Sequence, residues 1–233
     1  MWVSNTEIAA FFQPYRMLAE SSQPHGEMLT RPQADIPTEA FFANLTIDEQ
    51  FRILEWQLRI QNQLFEVGGW NVSINVNNTL LKDNPERDRF LNLLSRANAP
   101  IVLEFTETHP MPPLEESNHL LRAIREFGHR SALDDFGSGL NGMSLLTDYD
   151  FDIVKLDRSL IVDISERVEK RQTIGLVREM LDVLGKDHVV EGVETEDTFE
   201  TLVELGFRCF QGFFFAKPAN VTEFGVLTES VEL

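Results

Sequence analysis

Five apolar runs in this chain each end on one side chain of the kind that binds or transfers: Val72-Ser73-Ile74-Asn75, Ile101-Val102-Leu103-Glu104, Ala132-Leu133-Asp134-Asp135, Ile153-Val154-Lys155 and Val189-Val190-Glu191. Short apolar runs separated by helical patterns are the mark of buried strands in a βα repeat. Catalytic residues of parallel β/α barrels gather at the C-terminal ends of the strands, so the repeated apolar-then-polar punctuation predicts one shared rim that carries carboxylates, an amide and an amine.

The alternation supports that fold along the chain. Asn71–Asn75, Ile101–Phe105, Ser131–Asp135, Asp152–Leu156, His188–Glu191 and Arg208–Phe210 read as strands. Arg87–Ala97, Leu114–Phe127, Thr173–Leu184 and Glu196–Leu205 read as helices between or after them. Upstream, Thr38 to about Glu66 has helical apolar spacing with an interruption near Thr46-Ile47-Asp48, and Ser21–Pro37 reads as loops around one short strand. Periodicity leaves an open sheet available, and the punctuated strand ends favour the barrel. The 233 residues fit one domain, taken as 1–233, because barrels of roughly 250 residues commonly form a single unit.

An apolar fraction of 42% supports a sizeable core, and no run approaches the ~20 residues that span a bilayer. No signal peptide is read at the N-terminus, and the expected location is cytoplasmic. A net charge of −18 opposes binding to duplex nucleic acid or an anionic membrane surface. A phosphate ester substrate would need bound cations to reverse the local field. The single cysteine, Cys209, excludes an intrachain disulfide and a multi-cysteine zinc site. Flanked by Phe207 and Phe210, it reads as a core thiol more readily than as a nucleophile. The histidines lack zinc-hydrolase spacing and read as surface or supporting residues. G-x-S-x-G elbows and G-x-x-x-x-G-K-[ST] loops are missing, which removes serine-hydrolase and P-loop readings.

What remains is a set of hard oxygen donors, Glu27, Asn75, Glu104, Asp134 and Asp135, which suits Mg²⁺ or Mn²⁺. The Asp134-Asp135 pair can serve two neighbouring ions, an arrangement that clamps the attacking and leaving oxygens of an in-line phosphoryl displacement. A plain polar turn before Phe136-Gly137-Ser138-Gly139 is the competing reading. Lys155 and Glu191 follow buried runs and need partners. Lys155 is a candidate to hold a water or phosphoryl oxygen and Glu191 to bind metal or accept a proton, with an ordinary buried ion pair as the alternative.

Eight ordered blocks make the chain resemble the EAL-domain cyclic-di-GMP phosphodiesterases from about residue 12 to residue 218. They are Phe12-Gln13-Pro14, Gly26-Glu27-Met28-Leu29-Thr30-Arg31, Ser73-Ile74-Asn75-Val76-Asn77, Glu104-Phe105-Thr106-Glu107-Thr108, Asp134-Asp135-Phe136-Gly137-Ser138-Gly139, Val154-Lys155-Leu156-Asp157-Arg158, Glu191-Gly192-Val193-Glu194-Thr195 and Gln211-Gly212-Phe213-Phe214-Phe215-Ala216-Lys217-Pro218. The resemblance implies an α/β fold, a modified TIM-like β/α barrel with one strand antiparallel to the rest. It also implies hydrolysis of cyclic di-GMP to linear 5′-pGpG with two divalent cations, Mg²⁺ or Mn²⁺, in motility or biofilm signalling.

Carried over residue by residue, Glu27, Asn75, Glu104, Asp134, Asp135 and Glu191 would hold the metals. Lys155, Glu191, Glu27 and Gln211 would form the catalytic cluster, and Gln13, Pro14 and Arg31 would meet substrate. Glu107 would brace the loop from Phe136 and Gly137 to Asn141, which in this family links metal binding, substrate engagement and formation of a homodimer, and Glu194 would be a supporting residue. Met28 and Pro32 depart from the family pattern around Glu27 and the substrate side. Leu140-Asn141-Gly142 and Asp150 depart from it around the loop; none of these removes a metal ligand. The alternative function is a non-catalytic module of the same family that binds cyclic di-GMP or a protein partner.

Overall fold

Within each strand the side chains alternate between two faces, and this sequence assigns the faces different jobs. Val72, Ile74, Leu103, Phe105, Leu133, Val154, Leu156 and Val190 point outward into the main core, where helices cover them. Val102, Ala132, Ile153 and Val189 form a second, smaller cluster inside the barrel, with Tyr15 and Cys209 packed against it. Two residues beyond each of those four stand Glu104, Asp134, Lys155 and Glu191. The barrel interior is thus a small apolar layer below and a layer of chemical side chains above.

The computed structural model describes residues 1–18, 23–106, 111–139 and 143–226. Eight principal strands form the sheet: β1 (Thr6–Pro14), β2 (His25–Pro32), β3 (Asn71–Val76), β4 (Ile101–Thr106), β5 (Arg130–Phe136), β6 (Ile153–Leu156), β7 (Asp187–Val190) and β8 (Cys209–Phe210). From β2 to β8 each strand pairs in parallel with the next, while β1 runs antiparallel to β2. Closure comes from the first segment itself. Arg16–Met17, two residues past β1, pairs antiparallel with β8, and Ala219–Asn220 pairs with Phe11 and Phe12 farther along the same seam. The fold is therefore a β/α barrel with its first strand reversed.

The helices are α1 (Thr38–Ala43), α2 (Ile47–Gly68), α3 (Asn84–Leu94), α4 (Leu114–Glu126), α5 (Ser144–Asp148), α6 (Arg158–Ile161), α7 (Val168–Val183) and α8 (Glu196–Glu204). The interruption expected near Thr46 is a real boundary. Thr46 caps α2 in a capping box, its backbone N–H donating to Glu49 Oε2 at 2.8 Å while its hydroxyl accepts from the Glu49 N–H at 3.3 Å.

Two expectations needed revision. The segment read as loops around a short strand holds the eight-residue β2, and the N-terminal stretch, for which no strand was expected, forms β1. His129, read as a surface or supporting residue, takes the supporting place: it is buried with Nε2 2.9 Å from the Leu94 carbonyl oxygen. No described helix is long and apolar enough to cross a membrane.

Candidate active site

Lys155 is the centre of the upper layer. Its Nζ lies 2.7 Å from Glu191 Oε1, 2.9 Å from Glu104 Oε1, 2.9 Å from Asp134 Oδ1 and 3.5 Å from Glu27 Oε2, and its side chain is 2% exposed. An ammonium has three protons to give. Four carboxylates crowd around it, so its hydrogen bonds cannot satisfy them all. Asp134 Oδ1 shows the shortage, being in charge contact with Nζ but without a hydrogen bond. Glu104 Oε2 is likewise buried without a hydrogen-bond partner.

Different elements bring these groups together for separate reasons. Glu27 comes from the middle of β2, not from a strand end. Its register partner on β3 is Ser73, yet its carboxylate meets Asn75, two residues on, as expected where tilted barrel strands bring staggered positions to one level. Asn75 Nδ2 donates to Glu27 Oε1 at 2.7 Å, and Gln211 Nε2 donates to Glu27 Oε2 at 2.8 Å. Gly26 lets the strand pass Phe12, for a Cβ there would come within 2.4 Å of that ring.

Asp134 and Asp135 pose a separate problem, because consecutive strand residues normally face opposite ways. The β5–β6 pairing shifts register between Leu133 and Phe136, and Asp135 adopts a left-handed backbone with φ +55°. This bulge turns both carboxylates to the same side. Ligand oxygens of Asp134, Asp135 and Glu191 consequently lie within 4.8 Å of one another.

Protonation follows from burial and crowding. Burial would lower Lys155, but Asp134, Glu104, Glu191 and Glu27 hold its pKa well above the usual lysine range. For Glu27, burial is outweighed by Lys155 and by the amides of Gln211 and Asn75, leaving it below the usual carboxylate value. Burial raises Glu104 well above that value despite Lys155. It pushes Glu191 up to about 8, with Asp134 adding to the rise against the opposing Lys155, and Asp135 up to about 6, with Asp134 again adding.

The remaining predicted residues are placed as follows. Gln13 is buried behind Glu27, accepting from Gln211 Nε2 at 3.0 Å and donating to the Ala216 carbonyl oxygen at 2.9 Å. Pro14, half-buried, ends β1 opposite Gly26. Arg31 is exposed near the far end of β2 and lines a cleft of about 620 Å³ that runs from Glu27, Asn75 and Asp135 to α1 and α2. Phe136 is buried, and Gly137 has φ +98° with Leu160 packed where a Cβ would stand. Glu194 accepts from Arg158 Nη2 at 2.8 Å, away from the cluster. Glu107 and Leu140-Asn141-Gly142 lie outside the described residues. Tyr15 was missed. Its hydroxyl lies 3.2 Å from Glu104 Oε1 and 3.2 Å from Ser73 Oγ. Its place two residues after Gln13 was the available signal.

Residues 2–218 match the family model for the EAL domain. The chain belongs to the EAL-domain family. It is 29% identical to the probable cyclic di-GMP phosphodiesterase PdeG of Escherichia coli K12, over 94% of this chain and 46% of that protein. Identity to the cyclic di-GMP phosphodiesterase RocR of Pseudomonas aeruginosa is 28%, over 93% of this chain and 58% of that one. The chain thus spans about half the length of these curated relatives. Among solved structures, the manganese and cyclic di-GMP complex of Klebsiella pneumoniae BlrP1 aligns with TM-score 0.79 and 27% identity, covering 95% of this chain and 58% of that one.

Proposed function

We propose that this EAL domain is a cyclic-di-GMP phosphodiesterase that uses two divalent cations, Mg²⁺ or Mn²⁺, to produce linear 5′-pGpG. One observation carries the proposal: Glu27, Glu104, Asp134 and Glu191 surround the single ammonium of Lys155 and Asp135 lies beside Asp134 and Glu191, a combined formal charge of −4 that two divalent cations would balance. The donors are hard oxygens, and Glu104 Oε2 is a buried acceptor without a hydrogen bond, so the set fits such ions. Asn75 joins the five carboxylates as a candidate ligand. Bound there, the cations supply Lewis acidity and neutralise charge on the phosphate.

The chain's own groups do the rest. Lys155, relieved of some of its carboxylates where these bind cation, would donate to the attacking water and hold it against the phosphorus. Glu191 accepts the proton of that water. The P–O3′ bond breaks as the new P–O bond forms, and a proton from solvent goes to the departing O3′, leaving a 5′-phosphate and a 3′-hydroxyl. Gln211 and Asn75 fix the Glu27 carboxylate, and Gln13 fixes Gln211. Arg31, the one basic residue among the described residues lining the cleft, offers charge to the second phosphate.

The test is incubation of the purified protein with cyclic di-GMP and Mg²⁺ or Mn²⁺, followed by chromatography. Production of 5′-pGpG that requires the cation is expected. Glu27→Ala and Lys155→Ala should each reduce turnover about 10²-fold or more with the fold retained. Unaltered dinucleotide under every cation, with measurable binding, would replace the proposal with the non-catalytic module.

A further inference from the structure

Tyr15 stands where the first segment of the barrel changes partners. Pro14 pairs with Gly26 on β2, Arg16 pairs with Phe210 on β8, and the Tyr15 backbone N–H donates to the His25 carbonyl oxygen at 2.8 Å. This anchoring directs the ring into the barrel, under the carboxylate cluster. Its hydroxyl has one proton and two candidate partners at equal distance. A carboxylate can only accept, whereas the Ser73 hydroxyl can donate. The phenolic proton therefore goes to Glu104 Oε1, and Ser73 completes the chain from behind.

The result concerns Glu104, which is fully buried. Its Oε1 is held by Lys155 at 2.9 Å and by Tyr15 at 3.2 Å. Its Oε2 is held by no hydrogen bond and is buried. An ion pair and a hydrogen bond on one oxygen fix the rotation of the carboxylate and reserve the other oxygen. Packing does not explain the tyrosine equally well. A cavity of about 360 Å³ lies beside the ring, lined also by Ser73, Val102, Ala132, Ile153 and Cys209. The ring leaves that space unfilled, while its hydroxyl is fully engaged.

We infer that Tyr15 is a positioning residue for the cation site, orienting Glu104 so that Oε2 is presented as a ligand. The inference rests on the two-cation reading above. Outer partners of this kind typically contribute 10- to 100-fold in metal affinity.

Tyr15→Phe keeps the ring and removes only the hydroxyl, so the variant should fold. Free Mn²⁺, followed by its electron paramagnetic resonance signal, is titrated into wild-type protein and variant, and turnover is measured across the same Mn²⁺ range. We expect the half-saturating Mn²⁺ concentration to rise about tenfold or more, with turnover recovering as Mn²⁺ saturates. A purely structural role would lower the cation-free melting temperature without shifting the Mn²⁺ isotherm. Unchanged affinity in the variant, or a turnover loss that saturating Mn²⁺ does not restore, overturns the role of Tyr15 alone. Wild-type protein that retains no Mn²⁺ overturns the cation reading and this inference together.

Discussion

Lys155 meets the ion-pair reading of its position in the sequence and exceeds it. It is a buried ion-pair partner, as an ordinary strand-end charge would be, but it faces four carboxylates where one would suffice. That excess makes the cation-free site sensitive to pH, with a sign that can be worked out. Glu191 has a folded pKa of about 8 against an ordinary value of 4.5, so its contribution to stability is full below 4.5 and lost as pH rises through 8. His188, lowered chiefly by burial, works oppositely but is finished once pH exceeds its ordinary 6.5. Glu27, held below 4.5, contributes a constant amount throughout this range. Thermal melts in chelator should therefore show stability falling from about pH 7 to about pH 9. Saturating Mn²⁺ should flatten that fall, because bound cation favours the ionised carboxylates. A cation-free melting temperature that climbs over the same interval would contradict the assignment.

At the level of elements, the bulge in β5 is where local strain serves the site. Asp tolerates the left-handed region better than most side chains, but glycine adopts it freely. Asp135→Gly should thus relieve the backbone and remove a carboxylate that burial and Asp134 make unfavourable. The expected outcome is a cation-free protein equal to or more stable than wild type, by up to about 1 kcal/mol, with Mn²⁺ affinity and turnover both reduced. Calorimetry and cation titration on the same preparation check this, and a marked loss of stability would show that Asp135 holds the bulge itself. The same element explains what sequence reading reached. Runs such as Ile101-Val102-Leu103-Glu104 were legible because a strand buried on both faces is continuously apolar until its inward side reaches the chemical layer. Asp134-Asp135 was legible as a pair, but the shift that aligns its members is a backbone event with no distinct residue signature. β1 was missed because its run Ile8-Ala9-Ala10-Phe11-Phe12 ends in no metal-type group, and Glu27, mid-strand, was named among the oxygen donors without the strand-end mark that the others carry. Tyr15 shares the inward side of Gln13 two residues before it, but only barrel closure brings that side to Glu104.

For the whole molecule, charge is the property that composition alone reports and geometry then localises. Of the net −18, the cluster carries −4 and the rest of the chain −14, and the dianionic dinucleotide of the proposed reaction would have to approach both. Bound cations neutralise the cluster but not the rest, so the far field still repels substrate even when the near field attracts it. Repulsion between exposed charges acts over about one Debye length, roughly 10 Å at 0.1 M salt and three times that at 0.01 M. Association should consequently speed up as salt is added, the reverse of an electrostatically steered enzyme. With cations kept saturating, kcat/KM for cyclic di-GMP is expected to rise severalfold between low and moderate concentrations of an inert salt, while kcat stays nearly level. A kcat/KM that falls steeply with salt would mean that basic groups such as Arg31 dominate the approach, and that the cleft reverses the sign of the molecule around it.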